Sequence, residues 1–313
     1  MRVALVVVGA LALAASGCRE KDSGRPSPAT SASAPAGSAS APALMPIPRD
    51  APTATPPPTG APAAACPPEM VRAGRVCVDR WEAQLIDKSS GQALSPYYPP
   101  SRALAVRLRD QWDKERLTTG GPEAQAIGVP ALPAWQTQRE PELLAVSRPG
   151  AVPNGYVSGV QADRACKAAG KRLCTNAEWV TACEGAARRP FPYGDKYRQG
   201  ACNIFRAKHP ASVLHDNPSV GHLDPRLNLV RDASGPLLRP TGGTPECKSD
   251  WGDAGAAWDM NGNLDEWVED EKGRFNGGFF SRSKKDGCAS TVGAHPKAYF
   301  DYSTGVRCCR DAG

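Results

Sequence analysis

Ten cysteines lie between Cys66 and Cys309, and they limit how this chain can fold more than any other feature. They are Cys66, Cys77, Cys166, Cys174, Cys183, Cys202, Cys247, Cys288, Cys308 and Cys309; the chain's eleventh is Cys18. None forms a C-x-x-C pair, and the adjacent Cys308 and Cys309 are poorly placed to share one zinc ion. An even number of cysteines in an exported chain points instead to disulfides made in an oxidising compartment. Cross-links then supplement a core that irregular backbone alone would stabilise weakly.

Export is read from the N-terminus. Arg2 precedes an apolar run from Val3 to Ala15, followed by Ser16, Gly17 and Cys18. A positive start, a short apolar stretch and small residues before a cysteine describe a bacterial lipoprotein signal peptide over residues 1–17. The run is too short to span a bilayer as a helix. Cys18 is then the lipidated first residue of the mature chain, a partner of the membrane through its anchor. An ordinary cleaved signal with an incidental cysteine is the alternative, Ala15 being the weak position. Arg19, in place of an aspartate after the anchor, favours the outer membrane. Residues 18–65 are mainly Pro, Ala, Ser, Thr and Gly, too poor in bulky apolar groups to offset chain entropy. They read as a disordered spacer reaching on the order of 100 Å at most. Residues 66–313 form the folded domain, of a size one core can serve.

The net charge of +6 is small for this length. No basic stripe with interleaved aromatics appears, so nucleic acid is not an expected partner. The pattern within the domain is α+β and loop-rich. Val76 to Glu82 reads as an early strand after a turn at Gly74, and Leu104 to Leu117 as a surface helix. Ser158 opens a helix ended by Gly170, with Val160, Ala162, Ala165, Cys166 and Ala169 on one face. Thr175 and Glu178 form a capping box for the next helix, which turns Trp179, Ala182 and Cys183 inward. From Ala207 to Thr244 almost nothing is periodic, and long loops are expected.

One segment carries chemistry. Asp259 to Trp267 (DMNGNLDEW) sets acidic and amide oxygens around a glycine turn, which suits a hard cation such as calcium. An Asx turn capping backbone amides without metal is the alternative. Together with Ala169 to Trp179 (AGKRLCTNAEW), Pro192 to Gly194, Cys202 to Ile204, Gly277-Gly278 and Gly305 to Cys308, this segment resembles the formylglycine-generating enzyme (sulfatase-modifying factor) family. The motifs stand in the family's order from Met70 to Cys309. The resemblance implies a distorted C-type-lectin fold in a single, disulfide-stapled domain. It also implies a structural calcium held by Asp259, the Gly262 and Leu264 carbonyls and Glu266, with a second at Asn203 and Ile204. It implies the disulfides Cys166–Cys308 and Cys183–Cys288, leaving Cys66–Cys77, Cys202–Cys247 and Cys174–Cys309 for the other six.

The family's oxidative chemistry rests on two cysteines soon after the Gly-Gly step, because copper(I) requires soft thiolates. Here Phe279, Phe280, Ser281, Arg282, Ser283, Lys284, Lys285, Asp286 and Gly287 follow, and none is a soft ligand. Cys288 matches the family's structural cysteine. No copper is expected, and no formylglycine-generating activity. The four histidines, His209, His215, His222 and His295, lack the spacing of an iron-binding triad, so no iron is expected. The first three read as surface residues. Phe279, Phe280, Arg282 and His295 are candidates for a ligand groove, strand alternation sending one phenylalanine inward and the other toward it. Trp179 and Trp267 read as core. The favoured function is a tethered, non-catalytic binding or scaffold module with a protein or glycan ligand. The alternative is a metal-dependent oxidoreductase or protein-modifying enzyme with an altered site.

Overall fold

A computed structural model describes residues 66–282, 284–293 and 295–313. The expected signal peptide, Cys18 and the spacer lie outside the described residues. The first hairpin joins β1 (Met70–Ala73) to β2 (Val76–Asp79) through Gly74, whose φ of 65° suits a residue without Cβ. The strand expected to reach Glu82 stops at Asp79, and the Arg80 carbonyl accepts from the Trp258 amide instead, while its guanidinium bonds the Ala254 and Ala256 carbonyls. Next come β3 (Ala83–Asp87) and α1 (Arg102–Glu115). Helix α1 is more than a surface helix, since Ala105, Leu108 and Trp112 bury one face at three- and four-residue spacing. Two single-turn helices, α2 (Pro122–Ala126) and α3 (Ala134–Gln138), lead to β4 (Leu143–Ser147), which pairs antiparallel with β3.

Helix α4 (Gly159–Ala168) begins at a capping box in which Ser158 Oγ accepts from the Gln161 amide and Gln161 bonds back. After β5 (Arg172–Leu173), helix α5 (Asn176–Glu184) starts the same way from Thr175 and Glu178. Trp179, Ala182 and Cys183 are buried on its inner face, as their spacing requires. The stretch expected to be loop holds only α6 (Pro210–His215), the two-residue strands β6 (Arg231–Asp232) and β7 (Gly235–Pro236), and one 3-10 turn. The C-terminal part is β8 (Lys248–Asp250), β9 (Ala256–Trp258), β10 (Asp265–Val268), β11 (Arg274–Asn276), β12 (Thr291–Gly293), β13 (Thr304–Gly305) and β14 (Cys308–Asp311).

Two four-stranded sheets organise these pieces, in the orders β1-β2-β14-β5 and β12-β11-β10-β13. The first places the end of the chain between its beginning and its middle, with Cys309 opposite Val78 and Cys308 opposite Leu173. Successive residues of a strand face opposite sides. Cys308 therefore bridges to Cys166 on α4, whereas Cys309 bridges to Cys174 beside α5. Cys66–Cys77, Cys183–Cys288 and Cys202–Cys247 complete five disulfides, so all ten cysteines of the described residues are paired. Trp267 centres one core cluster with Cys166, Val157 and Val306, and Trp179 centres a second with Val78, Cys183 and Met260. The result is a mixed α+β body with few helices, small sheets and a stapled, loop-rich core.

Candidate functional site

Strand β10 is short, yet its alternation separates two polar sites. Glu266 turns into the core. Both of its oxygens accept from Arg307 at 2.7–2.9 Å, and Oε2 also accepts from Trp179 Nε1 at 2.6 Å. Glu82 and Asp259 are buried in the same region. Glu82 accepts from the Leu264 amide at 3.0 Å and from Asn263, and Asp259 Oδ2 accepts from the Gly242 amide at 2.6 Å. Burial first, then the neighbouring carboxylates, raises the Glu82 pKa well above its ordinary value. Burial pushes Asp259 up to about 7 against the pull of the Gly242 amide and Arg307.

The turn that precedes β10 depends on glycine at one point. A Cβ on Gly262, at φ 93°, would meet the Asn203 carbonyl oxygen at 2.3 Å. That approach lets the Asn263 amide donate to Asn203 O at 2.8 Å. Asn203 Oδ1 accepts from Arg206 Nη1 at 2.9 Å, and its Nδ2 donates to the Leu237 carbonyl and to Asn263 Oδ1. Of the side-chain oxygens expected to hold two calcium ions, those of Glu266 accept from guanidinium and indole, that of Asn203 from a guanidinium, and Asp259 Oδ2 from the Gly242 amide. Among the described residues no group of three or more His, Cys, Asp or Glu side chains is arranged to hold a metal ion. Calcium takes six to eight oxygens, and the buried carboxylates of Asp259 and Glu266, with the Gly262 and Leu264 carbonyls, are oxygens of that kind.

Asp265, on the other face of β10, is buried behind Arg282, which lines a groove of about 190 Å³ walled by Phe275, Phe279, Tyr299 and Tyr302. Arg282 reaches over the Phe279 ring, 5.1 Å from its centroid, and pairs with Asp265 Oδ2. The other Asp265 oxygen is buried without a partner. Burial pushes the Asp265 carboxyl up to about 7, with Arg282 pulling the other way and Asp301 adding to the rise. Asp301 is held by Tyr299 Oη at 2.5 Å and by the Ser303 amide and hydroxyl at 2.8 and 2.7 Å.

Three imidazoles stand at the same groove. His209 Nε2 lies 3.1 Å from Tyr302 Oη, and burial, with His222 nearby, lowers the His209 pKa. His222 donates from Nε2 to the Pro218 carbonyl at 2.9 Å. His295 stacks on Tyr299 with ring centroids 4.2 Å apart. The reading of His209, His215 and His222 as surface residues is corrected here. His209 and His222 line the groove, and His215 is buried with Nε2 3.1 Å from Asp224 Oδ2.

The structure brings Phe279, Arg282 and His295 together at the groove, while Phe280 is fully buried in the core with Leu264 and Leu237. The expected strand alternation does not apply, because β11 ends at Asn276; Phe279 reaches the groove wall and Phe280 the core from irregular backbone. Sequence reasoning missed Asp265, Asp301, Tyr302, His209 and His222 there, and Glu82 and Arg307 in the core. A signal existed for two of them. Asp265 precedes Glu266 in a strand, so it must face the opposite side, and Arg307 sits within the closing motif beside paired cysteines.

Residues 124–312 match the model of the sulfatase-modifying factor enzyme 1-like domain. No curated protein sequence gives a significant match. Among solved structures the chain is similar to PvdO from Pseudomonas aeruginosa, at 15% identity over 79% of this chain and 100% of that chain, with a TM-score of 0.35. A likeness that distant carries no argument of its own. Strands β1 to β3 and helix α1 precede the matched stretch, but β1 and β2 share a sheet with β14 and β5 inside it. With more than half of its length matched by that model, the chain belongs to the sulfatase-modifying factor enzyme 1-like family.

Proposed function

We propose that this protein is an exported, membrane-tethered lipoprotein, anchored through Cys18, whose domain binds a ligand rather than generating formylglycine. The observation that carries the reading is the state of its sulfur. All ten cysteines of the domain are in disulfides, and the Gly277-Gly278 step leads to Phe279 and Phe280. Copper(I) chemistry of the family's kind needs a pair of thiolates beside the groove. The aromatic walls with a few convergent polar groups instead suit one sugar ring or one peptide side chain. The protein or glycan that supplies it would meet the domain at the end of a long spacer from the outer membrane.

A second reading has one observation in its favour. Three imidazoles line the groove, and behind its Arg282 stands a buried carboxyl, Asp265, pushed up to about 7, a combination common where proton transfer is catalysed. Elemental analysis and a free-thiol count on the purified chain separate the readings. The binding module should hold neither copper nor iron in stoichiometric amount, expose no reactive thiol within the domain, and leave a cysteine-bearing sulfatase peptide unconverted. One redox metal per chain, or conversion of the peptide, would replace it with an enzyme. Loss of membrane association in Cys18→Ser tests the anchor, and a variant that still floats with vesicles would refute it.

A further inference from the structure

We infer that the groove between Phe279 and Tyr299 is a sugar site, taking one electrically neutral saccharide ring rather than a peptide side chain. The inference rests on the binding reading and narrows it to one class of ligand. The groove lies where two core clusters meet. Phe275, Val292 and Tyr299 pack with the cluster of Trp267, and Phe279 and Tyr302 with that of Phe280. On the first wall the His295 ring tilts 34° from Tyr299 and 25° from Phe275, and Phe275 lies 15° from Tyr299. Three rings of nearly one orientation present apolar surface, and His295 and Tyr299 are only half-buried. On the second wall the His209 and His222 rings meet Tyr302 edge to face.

The charges at the groove cancel. Arg282 supplies a positive charge and Asp301 a negative one, while burial keeps Asp265, behind Arg282, protonated up to about 7. No other Lys, Arg, Asp or Glu among the described residues lines it. An ionic ligand would therefore be desolvated there without a counter-charge of its own. Hydrogen-bonding groups are plentiful instead. A carboxylate has about four acceptor sites, and Tyr299 Oη with the Ser303 amide and hydroxyl fills three at Asp301. Among the described residues the Arg282 side chain bonds only through Nη2, to Asp265, which leaves Nη1 for a ligand. The imidazoles add ring nitrogens that donate or accept according to tautomer. One amide or hydroxyl side chain would engage few of these groups and leave the others covered and unpaired. A sugar ring has C–H faces for the aromatic wall and hydroxyls around its rim for the polar groups. The volume of about 190 Å³ admits one such ring.

The test is saturation-transfer NMR on the purified full chain, in a detergent without a sugar headgroup, with methyl glycosides of neutral hexoses and N-acetylhexosamines. Glucuronate, glucosamine and capped tripeptides serve as comparisons. At least one neutral glycoside should bind, more tightly than its charged counterpart and with its ring C–H protons saturated most. His295→Ala should weaken that binding about two- to twelvefold, the range for one aromatic contact. Arg282→Met should weaken it as well. No binding by any neutral glycoside, tighter binding by the charged sugars or the tripeptides, or unchanged affinity in His295→Ala would overturn the inference. Should Arg282→Met fail to fold, the glycoside comparison and His295→Ala still decide the matter. The binding reading itself fails on different results, a redox metal in the chain or conversion of a cysteine-bearing peptide.

Discussion

Replacing Asp265 with asparagine should change how stability depends on pH more than it changes stability at any one pH. The carboxyl is buried, its pKa stands at about 7 against an ordinary 3.8, and its partner Arg282 only partly offsets the cost of burial. Between those two values the folded chain holds a proton that the unfolded chain has released. Stability contributed by that proton is present at low pH, falls as pH rises through the window, and is gone above about 7. At about 1.4 kcal/mol for each pH unit, the window amounts to about 4 kcal/mol. In a domain of this size that corresponds to a melting shift of about 8–16 °C. Asp265→Asn removes this component while leaving Glu82, Asp259 and the histidines in place. The native protein should therefore lose more stability than the variant between about pH 4 and pH 8, with the two curves converging in slope above neutrality. Urea denaturation followed by tryptophan fluorescence at several pH values measures the difference. Parallel pH profiles for native and variant would refute the reasoning, because they would mean that Asp265 ionises in the folded groove as freely as in water.

Three further outcomes are expected from the geometry. Removing the Cys66–Cys77 bridge should cost about 3 kcal/mol in a denaturant titration, since it closes an 11-residue separation that contains no other cysteine. Thr175→Ala should cost about 1 kcal/mol by freeing the Glu178 amide that its hydroxyl caps, read as a lowered urea midpoint with unchanged slope. Glu266→Gln leaves the Arg307 charge buried without its carboxylate, and should lower stability by about 3–5 kcal/mol in the same assay.

The scaffold was more legible in the sequence than the groove was. The capping box of Thr175 with Glu178 follows from side chains three residues apart, a local relation that needs no tertiary knowledge, whereas the matching box of Ser158 with Gln161 is seen only in the structure. The need for disulfides followed from cysteine parity in a chain read as exported. The groove was hidden for the opposite reason. His209 and His222 come from a stretch without periodicity, and Asp301 and Tyr302 from a turn near the C-terminus, so only the fold places them beside Phe279. Glu82 was hidden by its neighbours. It follows an apparent strand, yet it leaves the ladder to accept from Asn263 and Leu264, far along the chain.

The two polar sites share one element, and that sharing limits how either can change. Asp265 and Glu266 are consecutive in β10, so a slip of one residue would send the groove carboxyl into the Arg307 pair and the core carboxylate toward Phe279. The register is pinned from both sides. Glu266 pairs with Asn276 in β11 and with Gly305 in β13, and Asp265 faces Thr304. Gly277 then follows β11 directly, and a Cβ there would meet the Trp179 ring at 3.1 Å. Trp179 in turn donates to Glu266. The Gly-Gly step, the buried tryptophan and the carboxylate therefore form one packing unit, and its link from Gly277 through the Trp179 ring to Glu266 uses no side chain after Gly278. The contacts made beyond the step by the Phe280 amide and the Ser290 carbonyl are backbone ones, so the segment can carry Phe279 and Arg282 in place of thiols while the fold around it is kept. This also locates where altered ligand choice should arise, which is at Phe279 and Arg282 rather than in the turn from Asp259 to Trp267.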